Sequence, residues 1–246
     1  MSITTATVAP VTPTAPDPTA PSLGSPTGRP RARALIPEQR VVLRGIGWDG
    51  FETILRVIGD QPGVRLSYDR GDLEFMSPSV DHEVFKKRFG RMIETLTMEL
   101  DIPCEGAGST TWKKQLEDKG LEADECYYLA NSVRVAGRRK IDLNVDPPPD
   151  LAIEVEISRS ALDRMAIYAA LRVPEVWRFD GETLIVEVLQ DDGTYAPQPT
   201  SPSLPFLPLD RLVDWLYAAD SASQTTWIRQ FRAWVLAELA PRREQG

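Results

Sequence analysis

The 246-residue chain is 42% hydrophobic, enough to bury one good-sized core, and its formal net charge of -8 argues mildly against nucleic-acid binding by bulk electrostatics. One histidine and two cysteines without metal-type spacing argue against a zinc site of imidazole and thiolate. The lack of a membrane-length apolar run or of a signal-type N-terminus predicts a soluble cytoplasmic protein without a membrane partner.

The first 36 residues are dominated by Pro, Thr, Ala and Ser, a composition that cannot bury enough apolar surface to fold. We therefore predict that residues 1–36 form a disordered tail. Its small basic group, Arg29, Arg31 and Arg33, could touch phosphate, although we favour a solvated tail.

Residues 37–209 are predicted to form one folded domain that begins near Val41, and residues 210–246 a C-terminal helical extension. Within the domain, residues 48–60 and 81–100 are predicted helices, because their apolar side chains recur at helical spacing.

The remaining elements are mostly short strands. Two alternating runs within 64–76 predict a β-hairpin, and further strands are expected near 103–112, 122–130, 150–157, 176–179 and 183–189. A helix opened by Ser160 or Asp163 follows the strand at 150–157, and one or two amphipathic helices cover 209–240. This order predicts an α/β or mixed α+β fold with a central mixed β-sheet flanked by helices.

The stretch Asp150-Leu-Ala-Ile-Glu154-Val-Glu156-Ile-Ser158 carries the strongest chemical signal. Strand alternation places Asp150, Ala152, Glu154 and Glu156 on one face, and burying that face is costly unless its charge is compensated. Glu154 and Glu156 are about 7 Å apart along a strand, so they could flank one or two hard cations. Asp150, a secondary candidate, is about 13 Å from Glu154, too far to share an ion unless the chain bends at the prolines before it. The alternative is an edge strand with a solvated acidic face.

Several other side chains are candidates. Asp124 opens an apolar run, but Glu122 and Glu125 are its neighbours, so which carboxylate points inward stays open. Glu74, which lies between apolar residues before the helix at 81–100, could complete a carboxylate cluster or face water. His82 could touch substrate or hydrogen-bond Ser79 or Asp81, and Arg164 could reach back over the acidic strand or pair with Asp163 or Glu175.

Four motifs resemble the Uma-two family of restriction-endonuclease-like proteins. They are Leu73-Glu-Phe-Met-Ser-Pro78 with His82, Gly120-Leu-Glu-Ala-Asp124, Asp146-Pro-Pro-Pro-Asp-Leu-Ala-Ile-Glu-Val155 and Ile167-Tyr-Ala-Ala-Leu-Arg-Val-Pro-Glu-Val-Trp177. The resemblance runs from roughly Val41 to Leu209. The family belongs to the PD-(D/E)XK nuclease superfamily, so the resemblance implies a restriction-endonuclease-like core and Mg²⁺-dependent (or Mn²⁺-dependent) phosphodiester hydrolysis.

By motif, the resemblance implies that Asp124 is the first metal-binding aspartate, Glu154 the acidic residue of the third strand and Glu74 an auxiliary acid. The superfamily lysine would normally stand two residues after the strand glutamate, where this chain has Glu156. In this family the lysine is found on the following helix, four residues before a tyrosine, and that position here is Arg164. An arginine can stabilise charge but cannot act as a general base.

The leading hypothesis is therefore a metal-dependent DNA endonuclease. Asp124, Glu154 and Glu156 would hold the metal ion and Arg164 would offset phosphate charge. Basic side chains would guide the DNA backbone, namely Lys86, Lys87 and Arg91, or Arg138, Arg139 and Lys140. Superfamily nucleases often act as dimers, so the resemblance allows a homodimer, but the sequence does not fix the oligomeric state.

Two alternatives belong to other classes. Arg164 and the acidic net charge motivate a catalytically impaired nuclease fold that binds a nucleic acid or protein partner. A weaker alternative is a protein-interaction module that uses Trp215, Trp227 and Trp234, although these side chains could equally pack on the domain or across a homodimer interface.

Overall fold

Two β-sheets and the helices around them make up the fold in the computed structural model, which describes residues 34–59 and 63–244. The elements run β1 (Gln39–Leu43), α1 (Trp48–Ile58), β2 (Arg65–Asp69), β3 (Asp72–Ser77), α2 (Val80–Glu99), β4 (Glu105–Gly106), β5 (Thr111–Lys114), β6 (Lys119–Glu122), β7 (Glu125–Tyr128) and α3 (Ser132–Val135). They continue with β8 (Leu151–Val155), α4 (Arg164–Leu171), β9 (Glu175–Phe179), β10 (Leu184–Leu189), β11 (Tyr195–Gln198), α5 (Leu209–Ala218), α6 (Gln224–Trp234) and α7 (Ala240–Glu244). The basic group at positions 29, 31 and 33 lies outside the described residues.

The larger sheet has the order β11-β10-β9-β8-β7-β4 and is mixed, because β8 and β9 pair in parallel whereas β7 and β8 pair antiparallel. Helix α4 makes the crossover from β8 to β9. The smaller sheet, β1-β3-β2-β6-β5, is antiparallel. The predicted mixed α/β fold with a central mixed sheet is confirmed.

The strand predicted around the acidic residues is β8, and it lies in the middle of the larger sheet. Its residues alternate as expected: Leu151, Ile153 and Val155 enter the apolar core against α2, and Ala152 enters a second core against α4. All five strand residues are buried. The alternative of a solvated edge strand is wrong, because β7 and β9 pair with β8 on both sides.

One run that the sequence presents as continuous belongs to two sheets. The residues near 122–130 divide into β6, in the smaller sheet, and β7, in the larger sheet. Asp124 lies in the two-residue connection between these strands. Its side chain is held by His82 of α2 and by the N–H of Val155 in β8.

The C-terminal helices pack on the body of the domain. Trp215, Trp227 and Trp234 lie in the same apolar core as α2 and β8, and Trp227 is 1% exposed. These tryptophans are therefore not available for a partner protein, which removes the basis of the interaction-module alternative. In the part of the chain that the structure describes, no helix has the length and apolarity that crossing a membrane requires.

Candidate active site

Glu154 forms a buried ion pair with Arg164. One guanidinium nitrogen of Arg164, Nη2, lies 2.6 Å from each oxygen of Glu154, and the phenol of Tyr168 donates to Oε1 of the same carboxylate. The other contacts of Arg164 are with Ser67 Oγ at 2.5 Å and the Glu122 carbonyl at 3.0 Å. The turn that starts α4 positions this arginine, since the carboxylate of Asp163 caps the helix by accepting from the N–H of Ala166.

Asp124 accepts hydrogen bonds at both of its oxygens. His82 Nε2 lies 3.0 Å from Oδ1, and the backbone N–H of Val155 donates to Oδ2 at 2.8 Å. His82 comes from the first turn of α2, where its own backbone N–H is capped by Ser79. The side chains of Asp124 and His82 are 1% and 0% exposed. Asp124 is thus the carboxylate of its segment that points inward.

The other ring nitrogen of His82 faces Glu38. His82 Nδ1 lies 3.0 Å from Glu38 Oε1, and Glu38 also accepts from the N–H groups of Ile157 and Ser158 after β8. Nothing in the sequence pattern marks Glu38. Glu38 lies within the predicted domain, ahead of Val41, and is buried by these contacts.

The strand register brings Asp124 and Glu154 together. Glu125 of β7 is opposite Ile153 of β8, and Asp124 and Glu154 are the residues that directly adjoin this last pair of the ladder. The Val155 N–H that binds Asp124 belongs to the peptide group directly after Glu154.

Burial raises the pKa of Glu154. The positive charge of Arg164 lowers this pKa, the negative charge of Asp124 raises it further, and the pKa of Glu154 is about 7. Burial also raises the pKa of Asp124, but hydrogen bonding and attraction to His82 outweigh it and leave the pKa below its usual value. Desolvation lowers the pKa of His82, yet Asp124 and Glu38 raise it to about 9. The imidazole is therefore a cation at neutral pH, and the two site carboxylates are unequal in their affinity for a proton.

Glu74 lies inside the fold rather than facing water. It is 0% exposed, accepts from Arg40 Nη1 at 2.7 Å and from Ser160 Oγ at 2.9 Å, and its second oxygen accepts from the N–H of Ala161 at 2.8 Å. These contacts tie the β2–β3 hairpin to the turn between β8 and α4. Glu74 thus holds the segment that presents Arg164.

Two of the predicted carboxylates are not part of this pair. Asp150 accepts from the N–H groups of Leu129 and Asn131 and from the amide of Asn131, so it caps the loop after β7. Glu156 accepts from Arg178 Nη2 at 3.0 Å and from the N–H of Ser160 at 3.1 Å. Its role as a metal ligand stays a prediction.

The basic residues of α2 mostly have partners within the protein. Lys86 donates to Ser109 Oγ at 2.9 Å, and Arg91 stacks over Trp227 with 5.6 Å between the guanidinium carbon and the ring centroid. Lys87 is exposed. In the second basic group Arg138 pairs with Asp146, whereas Arg139 and Lys140 are exposed.

Arg138, Arg139 and Lys140 line a groove of about 570 Å³ to which neither Asp124 nor Glu154 contributes. A second opening, at Glu154, is only about 10 Å³; Asp124 does not line it, and its charged lining residues are Glu154, Glu156, Arg40, Arg164 and Arg178. A space of that size holds about one water molecule. A substrate would therefore contact the site at its mouth.

Hard oxygen donors are what Mg²⁺ prefers, and Asp124 and Glu154 supply them side by side. A carboxylate has about four acceptor positions, of which Glu154 uses three and Asp124 two, so each retains capacity for a cation. Among the described residues, no group of three or more His, Cys, Asp or Glu side chains could hold a metal ion. The pair still fits Mg²⁺, which is usually bound through one or two carboxylates together with waters and substrate phosphate.

The family is decided by comparison with known proteins. A family model with the description "Putative restriction endonuclease" (Uma2) matches residues 48–219, which is more than half of the chain. The chain belongs to the Uma2 family. This confirms the resemblance seen in the motifs, supports a nuclease function and suggests an interaction with DNA.

A solved structure that resembles this Uma2 protein is a crystal structure of a "putative nuclease belonging to DUF820" from Anabaena variabilis ATCC 29413. Its sequence identity is 14% and its TM-score 0.44, and the alignment covers 61% of this chain and 90% of that chain. No curated protein matches the chain.

Proposed function

We propose that this protein is a divalent-metal-dependent DNA endonuclease whose metal ligands are Asp124 and Glu154. The observation that carries this function is the buried pair of carboxylates at the junction of β7 and β8, with the cation of Arg164 against one of them. A metal ion bound there would supply Lewis-acid activation of water and neutralise charge on the phosphate.

Arg164 would stabilise negative charge that develops on the phosphate. Its pKa is above that of a free arginine: desolvation opposes the cation, but Glu154, Tyr168 and Asp124 favour it more strongly. A guanidinium of this kind cannot take a proton from water, so Arg164 is not the general base. Arg40 and Arg178, which line the same opening, add positive charge where phosphate oxygens would lie.

Glu154→Gln tests this function in a supercoiled-plasmid nicking assay with Mg²⁺ or Mn²⁺. The amide keeps the size of the carboxylate but has no charge and only one accepting oxygen, so it is a poor metal ligand, and metal-ion catalysis is worth several kcal/mol. We therefore expect nicking to fall by roughly 100- to 1,000-fold. The matched control is Glu117→Gln, at an exposed glutamate remote from the site, which should nick like the unchanged protein. Metal-dependent nicking that persists in Glu154→Gln would contradict the proposed ligand.

A catalytically impaired nuclease fold that retains DNA binding is the second candidate. The observation that favours it is the same ion pair, since Arg164 already neutralises Glu154 at an opening of about 10 Å³. Arg164→Lys separates the two candidates, because lysine has one compact charged nitrogen and can lose its proton when buried. An impaired nuclease should gain metal-dependent nicking in this variant, whereas an active enzyme that depends on the planar guanidinium should lose it.

A further inference from the structure

We propose that Glu38 and His82 are positioning residues of this site: the chain of contacts from Glu38 through His82 to Asp124 holds Asp124 against Glu154. Because Glu38 precedes residue 48, where the family match begins, the segment at 35–43 becomes a component of the site. This role presupposes the nuclease function proposed above.

The geometry leaves Asp124 no freedom to turn. Its two oxygens are held from two elements, Oδ1 by His82 of α2 and Oδ2 by the N–H of Val155 in β8. Rotation of the carboxylate would break one contact or the other. Since the Val155 N–H follows Glu154 directly, the orientation of Asp124 is set relative to Glu154 itself.

His82 is held from the opposite side by Glu38. The imidazole is 0% exposed and has a carboxylate oxygen 3.0 Å from each ring nitrogen, so both edges of the ring are held. Its complete burial means that it cannot touch a substrate. It acts on the site only through Asp124.

Segment 35–43 is fastened to the surroundings of the site at several points. The N–H of Ile36 donates to Asp81 at 2.8 Å, and Glu38 accepts from Ser158 N at 2.6 Å. Arg40, on β1, pairs with Glu74 and donates through Nε to Ser158 Oγ at 3.2 Å. The segment therefore joins the start of α2 to the turn after β8, the two elements between which Asp124 is held.

Any contribution of this arrangement to fold stability is compatible with a positioning role, because both follow from the same contacts. Buried ion groups are often no more stabilising than apolar side chains of similar volume. A buried imidazole with a carboxylate 3.0 Å from each ring nitrogen fixes the orientation of Asp124, and partners behind metal-binding carboxylates commonly set metal affinity and activity.

Amide hydrogen exchange at Val155 tests the positioning without any metal or substrate. Glu38→Gln and His82→Leu should each lower the protection of the Val155 amide by about tenfold, since its acceptor Asp124 is released. Protection of Ile153, in the middle of β8, should stay unchanged. The matched control is Glu175→Gln, another buried carboxylate, which accepts from Trp177 Nε1 and the N–H of Ser203 and should leave Val155 unaffected.

Calorimetric titration with Mn²⁺ tests the consequence for the site. His82→Leu should weaken Mn²⁺ binding by about 10- to 100-fold. His82→Gln retains an N–H for Asp124 and should recover part of that loss, which a general packing defect would not allow. Glu175→Gln should bind Mn²⁺ like the unchanged protein.

Unchanged exchange at Val155 in both Glu38→Gln and His82→Leu would overturn the positioning role, whatever the activity. Undiminished Mn²⁺ affinity in His82→Leu would overturn its connection to the metal site. A protein that shows the expected exchange but neither binds Mn²⁺ nor nicks DNA would refute the nuclease function and leave the orientation of Asp124 established.

Discussion

Glu154→Ala is expected to lower the free energy of unfolding by about 3–5 kcal/mol, because it leaves the guanidinium of Arg164 buried without its counter-ion. Arginine cannot relieve that cost by losing a proton. Arg164→Ala should cost less, since the carboxyl group left behind can become protonated, and its pKa is already about 7 in the intact site. Urea denaturation of the unchanged protein and the two variants measures both differences, provided that the slope of the unfolding free energy against urea concentration is the same in all three.

The matched control for this result is Glu156→Ala, two residues further along the chain. Glu156 pairs with Arg178, but that arginine is 36% exposed, so the pair should contribute at most about 1 kcal/mol. The double variant Glu154→Leu with Arg164→Met should recover much of the loss, as it removes both charges together. Equal destabilisation by Glu154→Ala and Glu156→Ala would mean that the first pair is not effectively buried.

His82 should remain protonated until about pH 9. Burial lowers its pKa, but the hydrogen bonds to Asp124 and Glu38 raise the value from 6.5 to about 9. A pKa shift of that size means that protonated His82 contributes roughly 3 kcal/mol to the free energy of unfolding. Because the folded-state pKa is the higher one, this stabilisation is complete below pH 6.5 and is lost as the pH rises through about 9.

Nuclear magnetic resonance of the imidazole measures this directly without added metal, because the chain has a single histidine and its signals need no assignment. Glu38→Gln should lower the pKa of His82, since one of the two carboxylates is lost, and Glu175→Gln should not. A free-histidine titration near pH 6.5 in the intact protein would contradict the contacts on both sides of the ring.

Local periodicity predicted the elements that carry the site. Helix α2 was placed within one residue of its observed ends, and the alternation in β8 put Glu154 on the face that meets α4. The fold class followed from the order of these elements, and the motifs identified the family. Patterns of this kind are local, so a short window of sequence contains them.

The hydrogen-bond partners of the site's carboxylates could not be predicted from short stretches of sequence. Strand alternation leaves Asp124, Glu122 and Glu125 equivalent, and only the family resemblance singled out Asp124. The contact of Asp124 with His82, at the point where β6 and β7 enter separate sheets, is visible only in the structure. Asp150 lies on the predicted acidic face, yet its carboxylate accepts hydrogen bonds from N–H groups of the loop after β7. The predicted boundaries of the tail, the domain and the helical extension stay predictions, as do the metal and the homodimer.

The sequence by itself placed Glu154 and Glu156 on one face of a strand, because side chains alternate along a strand, and it left open whether that face is buried and compensated or solvated. Which groups compensate it was decided only by the tertiary structure. Arg164 is 10 residues from Glu154, but Glu38 reaches His82 across 44 residues and Ser158 across 120. Contacts between residues so far apart in the chain leave no periodic pattern in the sequence, since the residues between them are free to vary. They exist only where the packing of the two sheets and α2 brings the charges together.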